Sequence, residues 1–102
     1  VVDYNGLQID GDVEAVMGIA PLADKWRAFN WHVIETDGHD LAKMLAAYEE
    51  AKNTKGKPSV IIMKTIKGKG ISFMENIAGW HGKCCNLEEM NRAMDDIYGR
   101  GN

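Results

Sequence analysis

The sequence predicts an α/β fold in which helices flank a parallel sheet, and two observations lead to that prediction. Residues 60–63 read Val-Ile-Ile-Met without polar alternation, a pattern typical of a strand that is buried on both faces. Segments with helical spacing of apolar residues also alternate with segments of strand character. This alternation favours a parallel sheet whose strands are joined by right-handed crossovers.

Composition limits the classes of protein to which the chain can belong. With 102 residues, 45% of them hydrophobic and 26% charged, the chain is expected to form at most one ordinary globular domain. The formal net charge of -3 argues against nucleic acid as a partner. No apolar run approaches the roughly 20 residues that span a bilayer, so no membrane partner is expected. The two cysteines, Cys84 and Cys85, are adjacent, so neither a structural disulfide nor a metal site is expected. The protein is therefore expected in the reducing cytoplasm.

The chain begins with strand character in residues 1–4 and continues with Asn5-Gly6, the commonest pair in tight turns. Asn5 also has a functional interpretation. Its amide oxygen and the backbone carbonyl two residues later are ligands suited to Mg²⁺. Spacing alone favours the turn.

Residues 21–29 predict a helix on which Trp26 and Phe29 share one stripe, so both are expected in the core. The next strand is expected at residues 31–35. On this strand His32 is expected to point outward and not to act as a ligand.

The clearest helix is predicted to begin at residues 37–40, with Asp37 or Asp40 capping its free amides. His39 at this helix start is interpreted either as structural or as supporting site residues without contacting the ligand itself. The helix is expected to end before Gly56, and its buried face is expected to consist of residues with i, i+3, i+4, i+7 spacing, namely Leu41, Met44, Leu45 and Tyr48.

A buried strand is predicted at residues 59–63, and the lysine loop, residues 64–70 (Lys-Thr-Ile-Lys-Gly-Lys-Gly), follows it directly. Ligands of parallel sheets sit beyond the carboxyl ends of the strands, and lysines bind phosphate as point charges. A solvated basic turn would have the same composition, so both interpretations stay open. The same holds for His81 in Trp-His-Gly, which is either a packed residue or a chemically active one.

The last helix is predicted at residues 87–98, with Asn86 as its cap. The chain starts on what reads as the end of a strand and finishes in Gly99-Arg100-Gly101-Asn102. We therefore expect a piece of a larger protein.

Four blocks of sequence together resemble the thiamine-diphosphate-binding domain of transketolase. They are V-D-Y-N-G-L-Q-I-D-G at 2–11, W-H-V-I-E-T-D-G-H-D at 31–40, K-P-S-V-I-I-M-K-T-I-K-G-K-G at 57–70 and W-H-G-K at 80–83. The sequence I-S-F-M-E-N…G-W-H-G-K is most similar to the N-terminal subunit of bacterial transketolases whose gene is split in two. The resemblance implies that residues 1–102 are the C-terminal part of that domain, with an incomplete parallel sheet.

The resemblance also implies roles for individual residues. Asn5 matches an asparagine that binds Mg²⁺ (or Ca²⁺), and Leu7 matches the residue whose backbone carbonyl completes that coordination. Lys67 matches a lysine near the diphosphate of the cofactor. His81 matches a histidine that contacts the diphosphate and the reacting oxygens of the substrate, and it is therefore the candidate catalytic residue.

The implied activity is the transfer of a two-carbon ketol unit from a ketose phosphate to an aldose phosphate, as in the pentose phosphate pathway. Thiamine diphosphate carries most of this chemistry, while the protein positions the reactants, neutralises charge and handles protons. In this family the site forms between two subunits. The implied partners are therefore the pyrimidine-binding domain or subunit, in a homodimer or a heterotetramer.

The chain departs from the family pattern in two places. The Gly-Asp-Gly half of the cofactor motif, with its metal-binding aspartate, is absent, so the isolated chain is expected to be inactive. Cys84 and Cys85 stand where the family often has Ala or Pro. Alternatives are another thiamine-diphosphate enzyme (a dihydroxyacetone synthase or a deoxyxylulose-phosphate synthase), a non-catalytic binding or assembly module, and a generic phosphate-binding α/β domain.

Overall fold

The structure is a computed structural model that describes residues 1–99. Its regular elements alternate between strands and helices. They are β1 (Val2–Tyr4), β2 (Leu7–Gln8), β3 (Gly11–Asp12), α1 (Val13–Met17), α2 (Leu22–Ala28), β4 (His32–Asp37), α3 (Leu41–Asn53), β5 (Ser59–Lys64), a 3₁₀ helix (Ala78–His81) and α4 (Leu87–Tyr98). The chain divides into two compact units. The first contains Val1–Asn5 and Met17–Thr65, and the second contains Gly6–Val16 and the residues from Ile66 onward.

The first unit is built on a three-stranded sheet in the order β1-β5-β4, and both pairings are parallel. The central strand is β5, whose residues 60–63 are all buried, with Ile62 only 1% exposed. A strand with neighbours on both sides and cover on both faces needs an unbroken apolar run. The prediction of a parallel sheet from residues 60–63 is therefore confirmed.

Helix α3 begins where the sequence predicts, because the Asp40 carboxylate accepts from the amides of Ala42 and Lys43 at 3.0 and 3.1 Å. The predicted buried face of α3 is confirmed only for Met44, which packs partly buried against the core, and is wrong for Leu41, Leu45 and Tyr48. Leu41 is 76% exposed and Leu45 67% exposed. The core cluster to which α3 contributes instead consists of the small Ala47, the partly buried Met44 and Ala51, and sheet residues Ile34, Ile61 and Met63.

The expectation that Trp26 and Phe29 both lie in the core is wrong for Phe29 and holds only in part for Trp26. Phe29 is 77% exposed, because α2 ends at Ala28 and Phe29 occupies the C-cap position outside the helix. Trp26 is only half-buried and packs edge-on against Trp31, with ring centroids 4.7 Å apart. His32 is half-buried, and its Nε2 lies 2.7 Å from Oε1 of Glu50 on α3, so this side chain joins strand to helix.

The second unit contains the antiparallel pair β2 and β3, the 3₁₀ helix and α4. Helix α4 has the predicted bounds, since Asn86 and Glu89 form a reciprocal capping box and Gly99 ends the helix at φ +65°. Its buried residue is Ala93. The remainder of the predicted tail, residues 100–102, lies outside the described residues. Within residues 1–99, no helix is both long and apolar enough to cross a membrane.

Candidate functional site

Three loops of the first unit leave the sheet at the carboxyl ends of neighbouring strands. Tyr4 and Asp37 both pair with Lys64 in the parallel register, so the residues that follow all three strands emerge at one edge. The Gly38 amide donates to the Lys64 carbonyl at 2.8 Å, and the Thr65 hydroxyl donates to the Asp3 carboxylate. This is the edge at which parallel sheets bind their ligands.

Asn5 directly follows β1 at this edge, and its side chain is half-buried. Gly38 follows β4 with very little room around its Cα. A Cβ at position 38 would lie 2.5 Å from the Thr65 methyl carbon and 3.0 Å from the Met63 Cβ. From the sequence, Gly38 is interpreted only as the boundary between a strand and the helix that follows, and no local pattern predicts its close approach to Met63 and Thr65.

The lysine loop continues into the second unit as a series of tight turns. The Asn76 amide donates to the Lys67 carbonyl at 2.8 Å and closes the loop. Gly68 adopts φ +73°, and a Cβ there would lie 2.6 Å from the Met74 carbonyl oxygen. Both the dihedral angle and the contact therefore require glycine. The backbone of the loop is therefore held in a compact series of turns.

The lysines of this loop differ in their partners. The Lys69 amine lies 3.6 Å from Oε1 of Glu75, which also accepts from the Gly70 amide at 2.9 Å. Lys67 is half-buried, and no carboxylate of residues 1–99 forms an ion pair with it. Within residues 1–99 the charge of Lys67 is thus not neutralised by an ion pair, whereas the charge of Lys69 is partly neutralised.

His81 is the last residue of the 3₁₀ helix and is exposed. The preceding Trp80 anchors this helix, because its indole N–H donates to the Phe73 carbonyl at 3.2 Å and its ring packs edge-on against the Phe73 ring. Strand β2, which carries Leu7, contacts the same 3₁₀ helix. The second unit therefore brings the segments of Leu7 and His81 together, and it also contains Lys67, while Asn5 belongs to the first unit.

Two carboxylates hold the loops of the second unit to α4. Asp96 accepts from the Ser72 amide at 2.7 Å and from the Ser72 hydroxyl at 2.8 Å, and these bonds lower the pKa of Asp96. Glu89 accepts from the Lys83 amine at 2.6 Å and from the Asn86 amide at 2.9 Å. These bonds lower the pKa of Glu89, with the larger effect from Lys83. Sequence reasoning missed the contacts of both Asp96 and Lys83.

The resemblance implies a magnesium diphosphate, which binds to hard oxygen donors and to positive charge. The Asn5 amide oxygen and the Leu7 carbonyl, two residues apart along the chain, are of the hard oxygen type that Mg²⁺ takes, and Lys67 has no carboxylate partner among residues 1–99. Residues 1–99 contain no group of three His, Cys, Asp or Glu side chains able to hold a metal ion. By residue type, Asn5, Leu7 and Lys67 thus carry the oxygen donors and the positive charge that the implied cofactor requires.

Comparisons with known proteins agree on one family. The family described as transketolase, thiamine diphosphate binding domain, matches residues 1–100. A 6-deoxy-6-sulfo-D-fructose transketolase subunit of Clostridium sp. (strain MSTE9) is 43% identical over 99 residues, which are 97% of this chain and 36% of that subunit. An apulose-4-phosphate transketolase subunit of Phocaeicola vulgatus is 36% identical over 98% of this chain and 36% of that subunit.

A solved structure supports the same assignment. Transketolase from Campylobacter jejuni superposes with a TM-score of 0.86 at 29% identity, covering 94% of this chain and 15% of the enzyme. The chain spans about a third of the length of the Clostridium and Phocaeicola subunits. The incomplete α/β sheet and the family expected from the four sequence blocks are both confirmed. The chain belongs to the thiamine-diphosphate-binding-domain family of transketolases.

Proposed function

We propose that the chain is the part of a transketolase that holds the diphosphate end of thiamine diphosphate, in an enzyme that transfers a two-carbon ketol unit between sugars. The observation that carries this proposal is the lysine loop. It leaves the central strand β5 at the edge where Asn5 leaves β1, and it contains Lys67, whose charge no carboxylate of residues 1–99 neutralises. An anion-binding loop at this edge is what a cofactor diphosphate needs.

In this proposal Asn5 and Leu7 hold a divalent cation, Mg²⁺ or Ca²⁺. The side-chain amide of Asn5 and the backbone carbonyl of Leu7 supply two oxygen ligands, and diphosphate oxygens are natural further ligands of such a cation. Lys67 supports the same diphosphate from the lysine loop. Its half-buried position strengthens the charge interaction relative to an exposed lysine.

When bound, thiamine diphosphate supplies the carbon nucleophile and stores the electrons released by carbon–carbon cleavage. His81 is proposed to hydrogen-bond the reacting oxygens of the sugar and to move protons to and from them. Its exposure in the second unit leaves the imidazole accessible to a ligand, and the Trp80 anchor fixes the backbone that carries it.

The proposed partners are the rest of the transketolase and its sugar substrates. The two similar subunits are named for a sulfo-fructose and for apulose 4-phosphate, ketoses with different anionic groups. Donor assays should therefore include a sulfonated and a phosphorylated ketose beside the ketose phosphates of the pentose phosphate pathway. A cytoplasmic enzyme that assembles as a homodimer or heterotetramer is part of the same proposal.

The test is steady-state kinetics of the complete enzyme carrying His81→Ala in this chain. We expect kcat for ketol transfer to fall by roughly 100- to 10,000-fold, the usual range for losing a proton-transferring side chain. The matched control is His32→Gln, since His32 pairs with Ser59 at the opposite end of the sheet and should leave kcat within about twofold of the unmodified enzyme. Equal losses in the two variants would contradict the role of His81.

A further inference from the structure

The two cysteines have no part in the proposed cofactor site. Cys84 and Cys85 are the only cysteines of the chain, and both are free and exposed. They lie in the second unit, between the 3₁₀ helix and α4. Both thiols are therefore accessible, and they occupy neighbouring positions along the backbone.

Contacts on both sides of this pair lead to the same residue, Glu89. On the N-terminal side the Lys83 amine lies 2.6 Å from the Glu89 carboxylate and 4.0 Å from the centroid of the Trp80 ring. On the C-terminal side Asn86 donates its amide to the Glu89 carboxylate at 2.9 Å and accepts from the Glu89 amide at 2.8 Å. The two cysteines are thus a short stretch held at both ends, and a ligand that binds both thiols orders little additional backbone.

A direct disulfide between these thiols would be strained. Adjacent Cα atoms stand about 3.8 Å apart across a trans peptide, which is below the span of about 4.4–6.8 Å that disulfides adopt. An atom that bridges the two sulfurs removes this conflict, because the ring formed by the two cysteine side chains and the peptide between them gains one member. With bonds of about 2.3 Å to each sulfur, as in zinc thiolates, the sulfurs can stand well beyond the disulfide bond length of about 2.05 Å.

We propose that Cys84 and Cys85 form a dithiol site that chelates trivalent arsenicals of the type R–As=O. Two As–S bonds form, while both S–H bonds and the As=O bond break. The two protons leave with the oxygen as water. Arsenic stays trivalent and the sulfurs are not oxidised, so the step needs no oxidant or reductant.

The experiment is titration of the chain with phenylarsine oxide, followed by intact-mass spectrometry after challenge with excess 2-mercaptoethanol. Cys84→Ser and Cys85→Ser, each keeping one exposed thiol, are the matched variants. We expect the unmodified chain to retain one phenylarsenic group through the monothiol challenge and to release it to a dithiol such as dimercaptopropanol. Each single variant should bind at least roughly 100-fold more weakly, because a two-point attachment raises affinity by about 10²–10⁴.

Three results would overturn the proposal. They are uptake of two arsenicals by the unmodified chain, retention in a single variant equal to that of the unmodified chain, and absence of any adduct. Circular dichroism of all three chains checks that the total helical content is unchanged, and the exposed positions of both cysteines make a folding defect from serine unexpected. Because no step involves thiamine diphosphate, the outcome does not depend on the proposed transketolase function.

Discussion

Replacing Gly68 by alanine is expected to damage the lysine loop far more than the same change at Gly70. A Cβ at φ +73° costs roughly 1–2 kcal/mol. The Cβ at position 68 would also lie 2.6 Å from the Met74 carbonyl oxygen and 2.7 Å from the Met74 Cβ, so the backbone must shift. Such overpacking typically costs about 1–3 kcal/mol. The expected total for Gly68→Ala is therefore about 2–5 kcal/mol.

Gly70→Ala is the matched control. Gly70 has φ +95°, and a Cβ there would meet no atom within 4 Å, so only the dihedral cost of roughly 1–2 kcal/mol applies. Urea unfolding monitored by circular dichroism measures the global difference between the variants. Hydrogen exchange of the Asn76 amide, which donates to the Lys67 carbonyl, reports the opening of the loop itself.

The contact with Met74 predicts a specific order of stabilities. Gly68→Ala should unfold at lower urea than Gly70→Ala, and its Asn76 amide should exchange faster. Equal stability of the two variants, or a larger loss in Gly70→Ala, would show that position 68 has room for a side chain. Glycine at position 68 would then not be what holds the lysine loop closed.

Two further predictions concern the core and the response to acid. Ile62→Ala should destabilise the chain by about 2–5 kcal/mol in urea unfolding, since Ile62 is 1% exposed, whereas Phe29→Ala at a 77% exposed position should change stability by less than about 0.5 kcal/mol. The Ser72 amide and hydroxyl lower the pKa of Asp96 below its ordinary value of 3.8, so its contribution is present above that value and lost as pH falls through the lower folded pKa. The free energy of unfolding of Asp96→Asn should therefore fall less steeply below about pH 4 than that of the unmodified chain. An equally steep fall in both proteins would contradict this role of Asp96.

The elements predicted correctly are those determined by local sequence. Helix α4 begins at Asn86 and ends before Gly99, because a capping box and a left-handed glycine act within a few residues of the chain. Strand β5 was evident because four apolar residues in a row, 60–63, meet neighbours on every side. These signals do not depend on the position of distant segments.

The features missed are those determined by tertiary contacts. The spacing of Leu41 and Leu45 is helical, but α3 packs through Ala47, whose small side chain lies in the core with strand residues. The need for glycine at position 38 comes from Thr65, and the partner of Asp96 is Ser72. No periodicity within a helix or loop encodes partners that lie 24 or more residues away.

The candidate site was predicted mainly from the resemblance, because single motifs left both interpretations open. The structure adds that Lys67 and Lys69 are not equivalent, since Lys69 is paired with Glu75. It also adds that Asn5 and the start of the lysine loop leave adjacent parallel strands. The roles of Asn5, Leu7, Lys67 and His81 toward the cofactor stay predictions.

The most direct test of the proposed function is calorimetric titration of thiamine diphosphate with Mg²⁺ into the complete enzyme carrying Lys67→Ala. Loss of a charge-assisted hydrogen bond, worth about 1.5–3 kcal/mol, should raise Kd by roughly 10- to 100-fold. The control Lys57→Ala changes an exposed lysine before β5, near the opposite end of the sheet, and should leave Kd unchanged. An unchanged Kd for Lys67→Ala would contradict the assignment of the lysine loop to the cofactor diphosphate.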